Sequence, residues 1–134
     1  MITLTKDMET GVEKIDSQHK ELITRLNAVV TMGTSAVSKE ETQKTINFLE
    51  EYIIKHFREE EALQRQCRYQ KYEWHKAQHA GYINDFKKLK EEFAANGPSA
   101  KFTVSLNTSV INWIVKHIKV VDVELGKFYR ENTP

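Results

Sequence analysis

Apolar residues recur in four separate stretches of this chain at the three- and four-residue steps of an α-helix. The spacing predicts a first helix from about Asp16 to Thr31, with Ile15, His19, Leu22, Ile23 and Leu26 on one stripe and Gly33 as its stop. A second helix opens at Ser38, where Glu41 three residues later forms a capping box, and its stripe is Ile46, Leu49, Ile53, His56, Glu60 and Leu63. A third runs from about Gln70 to Ala95, with Tyr72, His75, His79, Tyr82, Phe86, Leu89 and Phe93 inward, and ends at Asn96-Gly97-Pro98. A fourth runs from about Phe102 to Val120, with Leu106, Val110, Trp113, Ile114, His117 and Val121 facing in. The stretch before Asp16 reads as an irregular arm whose Val12 and Ile15 can tuck against the helices. The segment from Leu125 to Pro134 reads either as a short helical tail or as a fraying end. No segment shows the two-residue alternation of a strand. Short loops between four amphipathic helices predict an all-α, antiparallel up-down-up-down four-helix bundle. It forms a single domain over residues 1–134, with the bundle proper spanning about 12–122.

All five histidines fall on these stripes, and none is left for a loop or a polar face. His56 is followed by Glu60 and His75 by His79, each four residues on, which on a helix leaves about 40° between them around the axis. Each pair can therefore point into one cavity. In the run HFREEE, Glu59 sits about 60° from His56 on one side and Glu61 about 140° away. Glu60 is thus the carboxylate forced inward, with Glu59 as the fallback. A buried lone carboxylate is costly, so Glu60 should be paired or metal-bound. His117 and Asp122 are five residues apart, about 140° on a regular helix. They share a site only if the helix bends, loosens into a π-turn, or ends near Val120-Val121; otherwise Asp122 is a solvated residue at a helix end. A lone inward histidine such as His19 is usually a hydrogen-bonded core residue. Joint placement of ligand-type residues on four helices points instead to a metal site, and imidazole with carboxylate suits iron, zinc, manganese or copper.

Composition narrows the alternatives. A formal net charge of +1 supplies no basic field for nucleic acid or an anionic membrane. No apolar run approaches the length of a membrane span, and the N-terminus MITLTKDMETG has no signal-peptide core. The single Cys67 fits a reducing, cytoplasmic setting. Cys67 falls on the His56/Glu60 face and reads as a buried structural thiol rather than a redox sensor. Asp16 reads as the cap of the first helix, or as an acceptor for the far nitrogen of His19.

If His19, His56, Glu60, His75, His79, His117 and Asp122 all bind, with both carboxylates and one solvent-derived oxygen bridging two ions, about eleven of about twelve octahedral positions are filled. One vacancy suits one small molecule rather than two substrates. Two carboxylates among five neutral nitrogens should favour the ferrous state over high-valent chemistry, in contrast with the four Glu and two His of ferritin-like centres.

These residues resemble the hemerythrins, specifically the single-domain bacterial members, over nearly the whole chain from about Val12 to Asp122. IDSQHKEL is similar to the family's first-helix motif, HFREEE followed by H-x3-H to the second and third, and WIVKHIKVVD to the fourth, including the five-residue step to Asp122. The resemblance implies a non-haem di-iron centre with an oxo or hydroxo bridge. His75, His79 and His117 would hold one iron, His19 and His56 the other with the vacancy, and Glu60 and Asp122 would bridge. It implies reversible dioxygen binding, as carrier, store or local supplier, and not an enzyme. The rival functions are an oxygen or redox sensor module and a di-iron enzyme acting on peroxide or nitric oxide. Trp113, Ile114 and Ile118 are expected to wall the dioxygen pocket. No protein partner can be read from the residues. The chain departs from the family in three places: no Trp in the arm, Gln64 where Met is frequent, and Gln70 after Tyr69 where Pro is common. Gln64 either turns its amide toward the pocket or points to solvent.

Overall fold

The computed structural model describes residues 2–33 and 38–132. The chain opens with a short 3-10 turn, Lys6–Met8, and continues through three long helices, α1 (Glu13–Gly33), α2 (Lys39–Gln66) and α3 (Tyr72–Asn96). A fourth rod spans 100–132 without a break, but it changes pitch along its length. It runs as α4 (Ala100–Ser105), a π-helical segment (Leu106–Ile111), α5 (Asn112–Lys116), a second π-helical segment (His117–Asp122) and α6 (Val123–Asn132). Neighbours in sequence pack as neighbours in space, α1 on α2, α2 on α3 and α3 on the fourth rod. The result is an antiparallel four-helix bundle. The loop between α1 and α2, and the last two residues of the expected tail, lie outside the described residues. Among the described residues no helix is long and apolar enough to cross a membrane.

Helix boundaries follow local chemistry. Ser38 accepts from the Glu41 amide at 3.1 Å and starts α2. Ser99 does the same for the Phe102 amide at 3.0 Å, so the fourth rod begins at Ala100, two residues earlier than the apolar periodicity indicates. Gly97, with φ +66°, ends α3 by donating to the Phe93 carbonyl, and Pro98 follows. In the α2–α3 turn Arg68 is left-handed at φ 57°.

Some expectations need correction. Asp16 neither caps α1 nor serves His19. The helix starts at Glu13, and the Asp16 carboxylate reaches back to the arm, accepting from Thr10 N and Thr10 Oγ1 at 2.8 Å and from Gly11 N at 3.2 Å. Val12 and Ile15 tuck in as expected, and Met8 is buried as well. Tyr72, Leu63, Val121 and Trp113 are half-buried rather than core, and Cys67 is half-buried, with its thiol pushed up by burial. Tyr82 is the core tyrosine of α3.

The tail does not fray within the described residues. Leu125 is buried, and the Phe128 ring meets Tyr69 at 5.1 Å. Arg130 Nε donates to the Thr10 carbonyl at 3.1 Å. Gly126 permits this docking, because a Cβ there would run into the Thr10 carbonyl oxygen and lie 2.7 Å from Thr10 Cβ. Alanine normally gains about 1 kcal/mol over glycine in a helix. Here the clash falls on backbone anchored by Asp16, and overpacking of that kind costs roughly 1–3 kcal/mol. Gly126→Ala should therefore lower stability in urea unfolding; an increase would show that the arm yields freely.

Along each rod the apolar residues divide into two groups. The larger cluster takes Leu22, Leu26, Leu49, Ile53, Phe57, Tyr82, Phe86 and Val110. The smaller takes Val12, Ile15, Tyr69 and Leu125. Between the two, on every rod, lie the histidines and inward carboxylates.

Candidate metal centre

His19 comes from α1, His56 and Glu60 from α2, His75 and His79 from α3, and His117 and Asp122 from the second π-helical segment. None is more than 3% exposed. Four-residue spacing turns His56 with Glu60, and His75 with His79, onto one face of a regular helix. The π-helical turn does the same for the five-residue step. An i→i+5 turn brings residues five apart into line, and the His117 Nε2 to Asp122 Oδ1 distance is 3.2 Å. The same turn shifts the inward stripe, so Asp122 and Leu125 replace Val121 on the buried face.

The seven side chains fall into two overlapping groups, each with ligand-type atoms within 4.8 Å of one another. One holds His75, His79, His117, Glu60 and Asp122; the other holds His19, His56, Glu60 and Asp122. Both carboxylates belong to both groups. Glu60 Oε1 lies 2.9 Å from His75 Nε2 and 3.1 Å from His79 Nε2, while Oε2 lies 3.6 Å from His56 Nε2 and 4.0 Å from His19 Nε2. Asp122 Oδ1 is 3.1 Å from His75 Nε2, and Oδ2 is 3.0 Å from His19 Nε2. Glu59, the fallback, stays outside. It pairs with Lys14 at 3.4 Å and accepts from Gln18 at 2.7 Å.

Electrostatics show what the cluster lacks. Burial and the neighbouring Asp122 both push Glu60 up, yet the close imidazoles of His75 and His79, at 2.9 and 3.1 Å, outweigh them and hold it down at about 2. Asp122 is also buried, and His117, His19 and His75 hold it well below the carboxylate range. Burial alone would lower His75, but the carboxylates of Asp122 and Glu60 beside it, at 3.1 and 2.9 Å, raise it to about 9. His19 and His79 are likewise raised against burial by their carboxylate partners. His56 goes the other way, pushed down to about 4 by burial despite Glu60 beside it. Two buried carboxylates thus face five buried imidazoles, and His19 Nε2, His56 Nε2, His79 Nε2 and all four carboxylate oxygens lack a well-formed hydrogen bond from the protein. A core that buries this many ligand atoms needs cations. The donor set of nitrogen and oxygen fits two first-row metal ions, and loading them would displace the protons.

Three outer nitrogens are held by residues the sequence reading did not single out. His56 Nδ1 meets Gln18 Oε1 at 2.8 Å, His79 Nδ1 meets Glu61 Oε2 at 2.8 Å, and His117 Nδ1 meets Gln78 Oε1 at 3.2 Å. Such contacts fix the tautomer and ring orientation of a metal-binding imidazole. The available signal was adjacency, since Gln18 and Gln78 directly precede His19 and His79, and Glu61 follows Glu60. Phe57, next to His56, was missed as well. Its ring stacks on His79 at 3.8 Å with an interplanar angle of 1°. Ile114 and Ile118 are fully buried in the larger core cluster. Trp113 is half-buried and stacks on His117 at 4.4 Å, covering the outer face of that imidazole.

Residues 10–128 match the protein-family model described as Hemerythrin HHE cation binding domain. The bacteriohemerythrin of Methylococcus capsulatus (strain ATCC 33009 / NCIMB 11132 / Bath) is 27% identical over 117 residues, covering 87% of each chain. That of Stenotrophomonas maltophilia (strain R551-3) is 26% identical over 134 residues, covering 94% of this chain and 85% of that one. The crystal structure of wild-type hemerythrin superposes with a TM-score of 0.84 at 25% identity, covering 96% of this chain and 98% of the other. The bundle, the inward histidines and carboxylates, and a match across most of the sequence agree: this chain belongs to the hemerythrin family.

Proposed function

We propose that the chain binds dioxygen reversibly at a non-haem di-iron centre, acting as a binding protein and not as an enzyme. The observation that carries this reading is the overlap of the two ligand groups, three imidazoles in one and two in the other, with Glu60 and Asp122 common to both. In this reading His75, His79 and His117 would hold one iron, His19 and His56 the other, and Glu60 and Asp122 would serve both. With two imidazoles against three, the His19/His56 half has the smaller ligand set and would be the one to admit a small molecule. A reduced di-iron centre supplies the two electrons that reversible dioxygen binding requires.

The chain's own residues supply the rest. Gln18, Glu61 and Gln78 hold three imidazoles in register through their outer nitrogens. Phe57, Ile114 and Ile118 keep water from the larger-cluster side, and a dry wall limits proton access and loss of superoxide. Trp113 shields His117 from the surface.

The test is optical. Iron-loaded protein, reduced without air, should develop a visible charge-transfer colour on admission of dioxygen and lose it on degassing. Metal analysis should give two irons per chain. Irreversible conversion to a ferric form with turnover of peroxide or nitric oxide would replace this function with an enzymatic one, and a single zinc would end both.

A further inference from the structure

A cleft of about 340 Å³ opens at the surface between α3 and the fourth rod, lined by Trp74, Gln78, Trp113, Lys116, His117 and Val120. Both tryptophans of the chain lie in it. Trp74 is 49% exposed and Val120 56%, two of the four large apolar side chains left open to solvent among the described residues. The other two, Phe48 and Val104, stand on different segments, α2 and α4. Apolar surface gathered in one concavity, rather than scattered singly, marks a place where something binds. Trp113 stacks on His117 at 4.4 Å, so the cleft reaches inward as far as a nearly buried imidazole.

Size and charge indicate the occupant. The volume falls at the lower end of the range for small-molecule sites. A stable second copy would need about 800 Å² on each partner, and only Trp74 and Val120 stand open here. Indole faces stack with planar rings. The polar groups that line the cleft complement an anion. Lys116 is exposed and pairs with no carboxylate among the described residues, whereas Lys71 is paired with Glu124 and Lys119 with Asp7. Gln78 sets its Oε1 against His117 Nδ1 at 3.2 Å, which leaves the two N–H groups of Nε2 uncommitted. Lys71 Nζ lies 5.8 Å from the centre of the Trp74 ring and adds positive charge at the rim. No carboxylate lines the cleft among the described residues.

We propose that this cleft is a binding site for a planar aromatic molecule that carries an anionic group. The ring stacks against the indoles of Trp74 and Trp113, the anion pairs with Lys116 Nζ, and Gln78 Nε2 donates to an acceptor on the ring. A molecule held there rests against the indole that covers His117. The site is separate from the dioxygen reading above and stands whatever that centre holds.

The test titrates the purified full-length protein into flavin mononucleotide, the probe, and follows flavin emission, which stacking on indole quenches. Riboflavin, with the same ring and no phosphate, is the uncharged comparison. Quenching by wild type should saturate at one flavin mononucleotide per chain. Lys116→Gln should weaken that binding about tenfold, which corresponds to about 1.4 kcal/mol, and leave riboflavin unchanged. Trp74→Ala should weaken both flavins about tenfold. Both side chains are exposed, so neither substitution threatens the fold, and circular dichroism checks this. Absence of saturable quenching by wild type would overturn the proposal, as would equal affinity for the two flavins. Unchanged affinity in Trp74→Ala would place the flavin elsewhere and overturn it too. A wild-type dimer in sedimentation that Trp74→Ala dissociates would give the cleft to a second copy instead.

Discussion

If the centre takes two ions as proposed, a chain carrying Glu60→Ala should hold at most one. Glu60 places one oxygen among the His75 and His79 nitrogens and the other toward His19 and His56, so a single carboxylate serves both halves. Alanine leaves five neutral imidazoles and one carboxylate to balance two dications in a buried cavity. The change also acts without metal. His75 is raised to about 9 because Asp122 and Glu60 outweigh the effect of burial, and deleting Glu60 strands part of that protonated cluster. Breaking a buried ion pair by removing one member costs roughly 3–5 kcal/mol. Metal analysis by emission spectroscopy and urea unfolding of the metal-free protein check the two parts. Exposed Glu51 on the same helix is the control, and Glu51→Ala should change neither. Two tightly bound ions in Glu60→Ala would remove the bridging role assigned to this residue.

Ile118→Gln should shorten the lifetime of the dioxygen-loaded protein by tenfold or more. Ile118 is 0% exposed, next to His117 and within the larger apolar cluster that closes one side of the ligand layer. An amide there would draw water into the apolar cluster beside the ligand layer and supply a proton source to the proposed centre. Burying that amide also costs roughly 1–3 kcal/mol of stability. Ile118→Val separates the two effects, because it removes volume without adding polarity and typically costs 0.5–1.5 kcal/mol. Decay of the charge-transfer band in air, compared across the three proteins, reads out the result. Equal decay in wild type and the glutamine variant would mean that Ile118 only packs the core.

Helix order and most inward positions were readable in the chain because amphipathic periodicity is a local property. The stripes through Leu22 and Leu26, Leu49 and Ile53, and Phe86 and Phe93 are all buried as their spacing requires. His56 with Glu60 and His75 with His79 were readable for the same reason, since four residues on one helix fix a shared face whatever packs against it. Asp122 marks where that logic stops. On a regular helix it points away from His117, and only the resemblance to the hemerythrins argued for it. The π-helical segment His117–Asp122 resolves the conflict, and a widened turn of that kind has no hydrophobic period by which to recognise it.

Residues that act across helices were hidden for a different reason. Gln18 serves His56 from 38 positions away, Glu61 serves His79 from 18 and Gln78 serves His117 from 39. Asp16 secures the arm through Thr10, six residues back, and Gly126 admits it through contacts between Thr10 and the tail that span more than a hundred residues. Spacing within a helix is set by covalent geometry, and so the linear order of residues specified the four rods and the chemistry each carries inward. Which outer nitrogen finds which partner, and whether Gln64 faces solvent or the interior, depends on how the rods are rotated and docked. Those degrees of freedom are fixed by packing among all four rods at once, and no single stretch of chain contains them.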